Sequence, residues 1–151
     1  MEKQLLSGPH SPMNIVKVVK HNREFARLHP DYFYPEGLLI FCGEQGSGKT
    51  LSAVQYVKKI CAEYPKAILC TNVAIHGLNP ETRVVEYNGL DCLKNLENGY
   101  YGVIYLIDEI HLEFNSLESK NIDIEVMIEV SQQRKQRKHI IGTTQVYGRL
   151  A

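Results

Sequence analysis

Apolar residues gather in short runs along this chain. Leu38-Leu-Ile-Phe-Cys42 and Val103-Ile-Tyr-Leu-Ile107 are unbroken, while Lys66 to Val73 (KAILCTNV) and His139 to Thr144 (HIIGTT) are apolar at their centres with polar residues at their ends. A half-buried strand would alternate polar and apolar positions, so continuous runs of this length predict strands buried on both faces. Arg83-Val-Val-Glu-Tyr87 adds a short strand. Between the runs the period becomes helical. Leu51, Val54, Val57 and Ile60/Cys61 fall on one face of the segment Thr50 to Glu63, as an amphipathic helix requires. Asp91 to Leu96 predicts a short helix and Ile122 to Lys138 a long one. From Asn14 to Leu28, the positions Ile15, Val18, Val19, Phe25 and Leu28 recur near helical spacing, with Lys17, Lys20, Arg23, Glu24 and Arg27 between them. This reads as a surface helix with a solvated charged face, ended by His29-Pro30-Asp31 because a residue before proline avoids helical torsions. The first dozen residues read as a loose lead-in. Strands alternating with helices predict an α/β fold, a mostly parallel sheet sandwiched by helices. Residues 1–36 form the lead-in and first helix, and 37–151 the main domain.

Length and composition narrow this picture. The 151 residues suit about one domain, and 44% hydrophobic with 23% charged residues excludes wholesale disorder. Lys+Arg and Asp+Glu both total 17, so no global positive charge draws the chain to nucleic acid. No apolar run approaches the roughly 20 residues that span a bilayer, and the start shows no signal peptide. Cys42, Cys61, Cys70 and Cys92 are far apart with no C-x-x-C, which predicts reduced core thiols in a cytoplasmic protein rather than disulfides or a zinc site.

The most specific chemistry is Gly43-Glu44-Gln45-Gly46-Ser47-Gly48-Lys49-Thr50, the pattern G-x-x-x-x-G-K-T between a predicted strand and a predicted helix. Glycines let the backbone curl so that N–H groups point at phosphate oxygens. The helix start adds its positive dipole end. Lys49 places a cation on the β- and γ-phosphates, and Thr50 offers a hydroxyl to Mg²⁺. The nucleotide-binding stretch runs from Gly43 to Leu51, and ATP with Mg²⁺ is the cofactor pair it predicts.

The run Val103–Ile107 ends in Asp108-Glu109. In a parallel sheet this end shares a rim with the glycine loop, so Asp108 is the second candidate Mg²⁺ ligand beside Thr50. Glu109 faces another way and is the candidate base for an attacking water. His111 reads as a surface residue. Polar residues tip the other strands. If the last strand lies between the loop strand and the Asp108 strand, or on the far side of the loop strand, Gln145 is a candidate γ-phosphate sensor. Asn72, near Glu109, is a candidate switch that holds it from water. The alternative for both residues is ordinary strand termination by polar side chains.

The ordered set GEQGSGKT, CTNV, YLIDEIH and SQQRKQRKHIIGTTQ resembles the zonula occludens toxin-like (Zot-like) P-loop ATPases of the wider FtsK/HerA group of DNA-pumping motors. These occur in filamentous phage assembly and prophage regions. The resemblance spans Leu38 to Ala151. It implies an ASCE-type (RecA/FtsK-like) sheet with Gln145 near the γ-phosphate. It also implies ATP hydrolysis coupled to moving DNA, a homo-oligomeric ring, and phage or secretion partner proteins in a bacterial host. The sequence departs from filamentous-phage members in having no membrane-spanning segment or second domain. It stops at Gly148-Arg-Leu-Ala151, just after the last predicted strand, where a complete fold of this kind would add at least one more strand; a truncated chain and a family fold whose later part is dispensable are the two readings left open.

Neutral charge hides a local asymmetry. From Ser131 onward Arg134, Lys135, Arg137, Lys138 and Arg149 meet no acid, whereas Asp108 to Val130 is acid-rich. Opposite charges at the two ends of one helix suit its macrodipole. Two functional readings stay open beside that one: an arginine finger (Arg134, Arg137 or Arg149) serving a neighbouring subunit, and contacts to the phosphate backbone of DNA. A motor ATPase is the leading expectation. A nucleotide-dependent assembly switch is the alternative, and a small-molecule kinase would want an arginine-rich lid that the sequence lacks.

Overall fold

Five strands form one sheet: β1 (Gly37–Gly43), β2 (Ile68–Thr71), β3 (Val84–Glu86), β4 (Val103–Ile107) and β5 (Lys138–Gln145). Their order is β1-β5-β4-β2-β3, and every pairing is parallel. The structure is a computed structural model that describes residues 12–115 and 137–145. The fold is α/β, a mostly parallel sheet flanked by helices. The chain divides into two units, Met1–Tyr32 and Phe33–Ala151.

In the first unit, α1 (Pro12–Leu28) starts on proline, which suits the first helical position because its missing N–H is an orphan there anyway. The Phe25 ring meets Tyr32 edge-on at 5.0 Å. Ile15, Val18, Val19 and Leu28 are exposed, along with the charges between them.

In the second unit the side chains sort by parity. Ile68, Cys70, Val103, Tyr105, Ile107 and Ile140 face one way, against Leu93 of α3 (Leu90–Asn95) and Ile110 of α4 (Ile110–Asn115). Leu69, Ile104, Leu106 and Ile141 face the other way, against Ala53, Val57, Ile60 and Cys61 of α2 (Lys49–Glu63). Burying each such aliphatic side chain contributes about 1.5–3 kcal/mol. This alternation lets continuous apolar strands be covered on both faces.

Several details differ from the expectation. β1 is half-buried because it lies at the edge of the described sheet, with β5 on one side only. Leu51 is 64% exposed, and Ala53 takes its place in the buried stripe of α2. Cys61 and Cys70 are core thiols, but Cys42 is exposed near the end of the edge strand. The residues after Glu109, to which the sequence assigns no element, form a helix, α4. Of the expected helix Ile122–Lys138, residues 122–136 lie outside the described residues, and Lys138 opens β5.

Lys138 is not a solvated helix end. It is 1% exposed, and its ammonium donates to the Leu93 carbonyl in the last turn of α3 at 2.6 Å. A cation at a helix C-terminus meets the negative end of the dipole, and burial lowers its pKa, opposed by nearby Glu97.

His139 is also buried, between the Gly37 carbonyl at Nδ1 (3.0 Å) and the Tyr56 hydroxyl at Nε2 (3.0 Å). A carbonyl only accepts, so Nδ1 carries the proton and Nε2 accepts from Tyr56. Burial lowers the imidazole pKa below 6.5, opposed by backbone hydrogen bonds at Gly37 and Glu36. Above that ordinary pKa both folded and unfolded states are neutral. As pH falls below it the unfolded state gains a proton first, and stability is lost down to the folded pKa. The wild-type melting midpoint should therefore fall more steeply than that of His139→Gln as pH drops below about 6.5. Parallel profiles for the two proteins would show that His139 does not carry this dependence.

Candidate functional site

Because all five strands run parallel, their C-terminal ends open on one rim, the usual ligand edge of such a sheet. There β1 leads into the glycine loop, β2 into Asn72, β4 into Asp108 and Glu109, and β5 ends on Thr143, Thr144 and Gln145. Insertion of β5 between β1 and β4 is the first of the two arrangements left open by the sequence.

The glycine loop turns through Gly46 (φ 80°) and Gly48 (φ 83°), torsions that side chains with a Cβ resist. Ser47 N–H donates to the Glu44 carbonyl at 3.1 Å and closes the turn. Gly48 caps α2, and no side chain caps that helix start. The first helical bond runs from Ser52 N–H to the Gly48 carbonyl at 2.9 Å. First-turn amides therefore face outward with the positive end of the helix dipole. Lys49 reaches back across the loop to the Glu44 carbonyl at 3.4 Å. Glu44, Gln45 and Ser47 are exposed.

Asp108 joins this loop to β4. Its Oδ1 accepts from the Thr50 hydroxyl at 2.9 Å and from the Thr143 hydroxyl at 2.5 Å. Both donors spend their only proton on the carboxylate, so the Thr50 oxygen keeps its lone pairs for a cation. A hydroxyl oxygen beside one carboxylate suits Mg²⁺ arriving with a nucleotide, since Mg²⁺ takes few protein ligands and keeps waters and phosphate oxygens. Asn72 grips the Asp108 main chain from the next strand. Its Oδ1 accepts from Asp108 N–H at 2.8 Å, and its Nδ2 donates to the Asp108 carbonyl at 3.1 Å.

Glu109 follows with φ 52°, a left-handed torsion rarely taken by a non-glycine residue. Its N–H donates to Thr143 Oγ1 at 2.8 Å, and its carbonyl starts α4 by accepting from Leu112 N–H at 2.9 Å. Gly142 makes this corner possible. A Cβ there would stand 2.8 Å from Ile110 Cδ1 and 3.0 Å from Ile40 Cδ1. The bare backbone lets Ile110, directly after Glu109, seat against β5.

The structure thus brings Gly43 to Thr50, Asp108, Glu109 and Asn72 to one rim. Gln145 is there too: its backbone pairs in register with Gly43 at the loop entrance. Asn72 holds the residue before Glu109 by its main chain, so a switch acting on the Glu109 carboxylate would first have to release those two bonds. His111 is half-buried, with Nδ1 3.3 Å from the Thr144 hydroxyl. Arg137 does not join the cluster. It precedes β5, its guanidinium donates to the Phe33 carbonyl at 3.2 Å, and the strand separates it from the rim by about 26 Å. Arg134 and Arg149 lie outside the described residues. Thr143 is the residue that sequence reasoning passed over. Its signal was a hydroxyl within an apolar strand, but its role depends on the register Ile107 to Gly142, which places it beside Asp108.

No protein-family model matches this chain. A search of curated proteins finds no matching relative. Among the described residues no helix is long and apolar enough to cross a membrane.

Proposed function

We propose that this chain is a P-loop ATPase domain of the ASCE type that couples Mg·ATP hydrolysis to the movement of DNA. The observation that carries the ATPase reading is the 2.9 Å bond from Thr50 to Asp108, which ties the glycine loop to the β4 tip. The interposed strand β5 supports it, because that order sets Gln145 and Thr143 between the two halves of the site.

In this reading the loop amides and Lys49 hold the β- and γ-phosphates. Thr50 and Asp108 hold Mg²⁺, which when bound offsets the phosphate charge. Glu109 accepts the proton of the attacking water as its oxygen bonds to the γ-phosphorus and the bond to ADP breaks. Gln145 stands near the transferred group and acts mainly in the transition state. The DNA, the ring of subunits, the phage-type partners and a bacterial cytoplasmic setting come from the resemblance to Zot-like ATPases. Arg134, Arg137 and Arg149 are its candidates for contact with DNA or a neighbour's site.

The test is steady-state ATP hydrolysis by the full chain, with and without double-stranded DNA, alongside equilibrium nucleotide binding. Turnover that requires Mg²⁺ and rises with DNA is the expected result. Binding without turnover would favour an assembly switch instead, and absence of nucleotide binding would sink the loop assignment.

A further inference from the structure

We propose that Thr143 is a positioning residue, its one hydroxyl setting the Asp108 carboxylate and the Glu109 backbone together; this rests on the ATPase reading above. The hydroxyl has one proton and two lone pairs. Its proton goes to Asp108 Oδ1, which only accepts, and a lone pair takes the Glu109 N–H. A single oxygen on β5 therefore fixes the orientation of the Mg²⁺-side acid and the main chain of the water-side acid.

Burial makes this oxygen hard to replace. Thr143 is fully buried, so solvent does not reach the hydroxyl to take over either bond. Glu109 holds a left-handed torsion that an L-residue keeps only when its surroundings impose it. Loss of the hydroxyl leaves the Glu109 N–H without that acceptor and lets the peptide relax, which moves the carboxylate of Glu109. Asp108 keeps Thr50 and Asn72, and the glycine loop with Lys49 is untouched. The effect should therefore fall on turnover rather than on nucleotide binding. Thr143 itself needs no contact with ATP.

Thr143→Val keeps the shape and removes the hydroxyl. On the full chain, kcat should fall by about 10- to 100-fold, the scale expected of misplaced catalytic groups. The Kd for Mg·ATP should stay within about threefold. Thr143→Ser restores the hydroxyl and should recover most of the turnover. If the valine variant does not fold, Thr143→Cys gives the same reading, because its thiol is a poor hydrogen-bonding substitute. Valine and serine variants slowed equally would mean that the methyl group and packing matter, and would overturn the proposal. So would an unchanged kcat, or a weakened Kd with normal kcat. A wild-type chain without Mg²⁺-dependent turnover overturns the ATPase reading as well, whereas a fast Thr143→Val variant overturns only the role of Thr143.

Discussion

Replacement of Glu109 by Gln is expected to slow ATP turnover by about 10²–10⁴-fold while Mg·ATP affinity stays within about threefold of wild type. The two side chains have nearly the same shape, so the left-handed corner at residue 109 and the bond from its N–H to Thr143 should persist. The Thr50–Asp108 contact does not involve the Glu109 side chain. Only the capacity to take a proton from water is removed, because an amide is a far weaker base than a carboxylate. Single-turnover hydrolysis and equilibrium titration of nucleotide separate the two quantities. A variant that cleaves ATP at the wild-type rate would mean that another group activates the water.

Lys49→Ala should weaken Mg·ATP binding by at least about 100-fold and abolish detectable hydrolysis, since the loop loses its motif cation. The folded protein should barely notice. The Lys49 ammonium makes a long 3.4 Å contact with the Glu44 carbonyl, and alanine suits the first turn of a helix. A loss of stability within about 0.5 kcal/mol is expected for such a side chain. Thermal unfolding gives a sensitive measurement. Nucleotide at 100 times its Kd should stabilise the wild type by about 2.7 kcal/mol, and the same concentration should leave the variant almost unshifted. Equal shifts for both proteins would remove Lys49 from the binding site.

Much of this architecture was legible in the order of residue types. Val103–Ile107 is apolar without interruption because helices cover both faces of β4, and that same fact makes it readable as a strand. The loop from Gly43 to Thr50 was legible because its glycines answer to local torsions. What stayed hidden depends on neighbours far away in sequence. Lys138 sits in a run of bases and reads as a wet helix end. It is buried because a carbonyl of α3, some 45 residues earlier, stands ready to accept from it. β1 reads like β4, yet it lies at the edge of the described sheet, a matter of strand order rather than of its own composition. Thr143 was passed over because nothing local reveals that Asp108 is its neighbour.

The insertion of β5 between β1 and β4 also governs when this domain can come into being on the ribosome. β1 emerges early, but its described partner is the strand Lys138–Gln145, about 100 residues later in the chain. At about 5–20 residues per second, the run Leu38–Cys42 waits about 5–20 s for the segment that pairs with it. Until then β1 and β4 have no strand to join them, and the glycine loop and Asp108 belong to separate fragments of the nascent chain. The unpaired apolar strand is the stretch that a chaperone would have to shield during that interval.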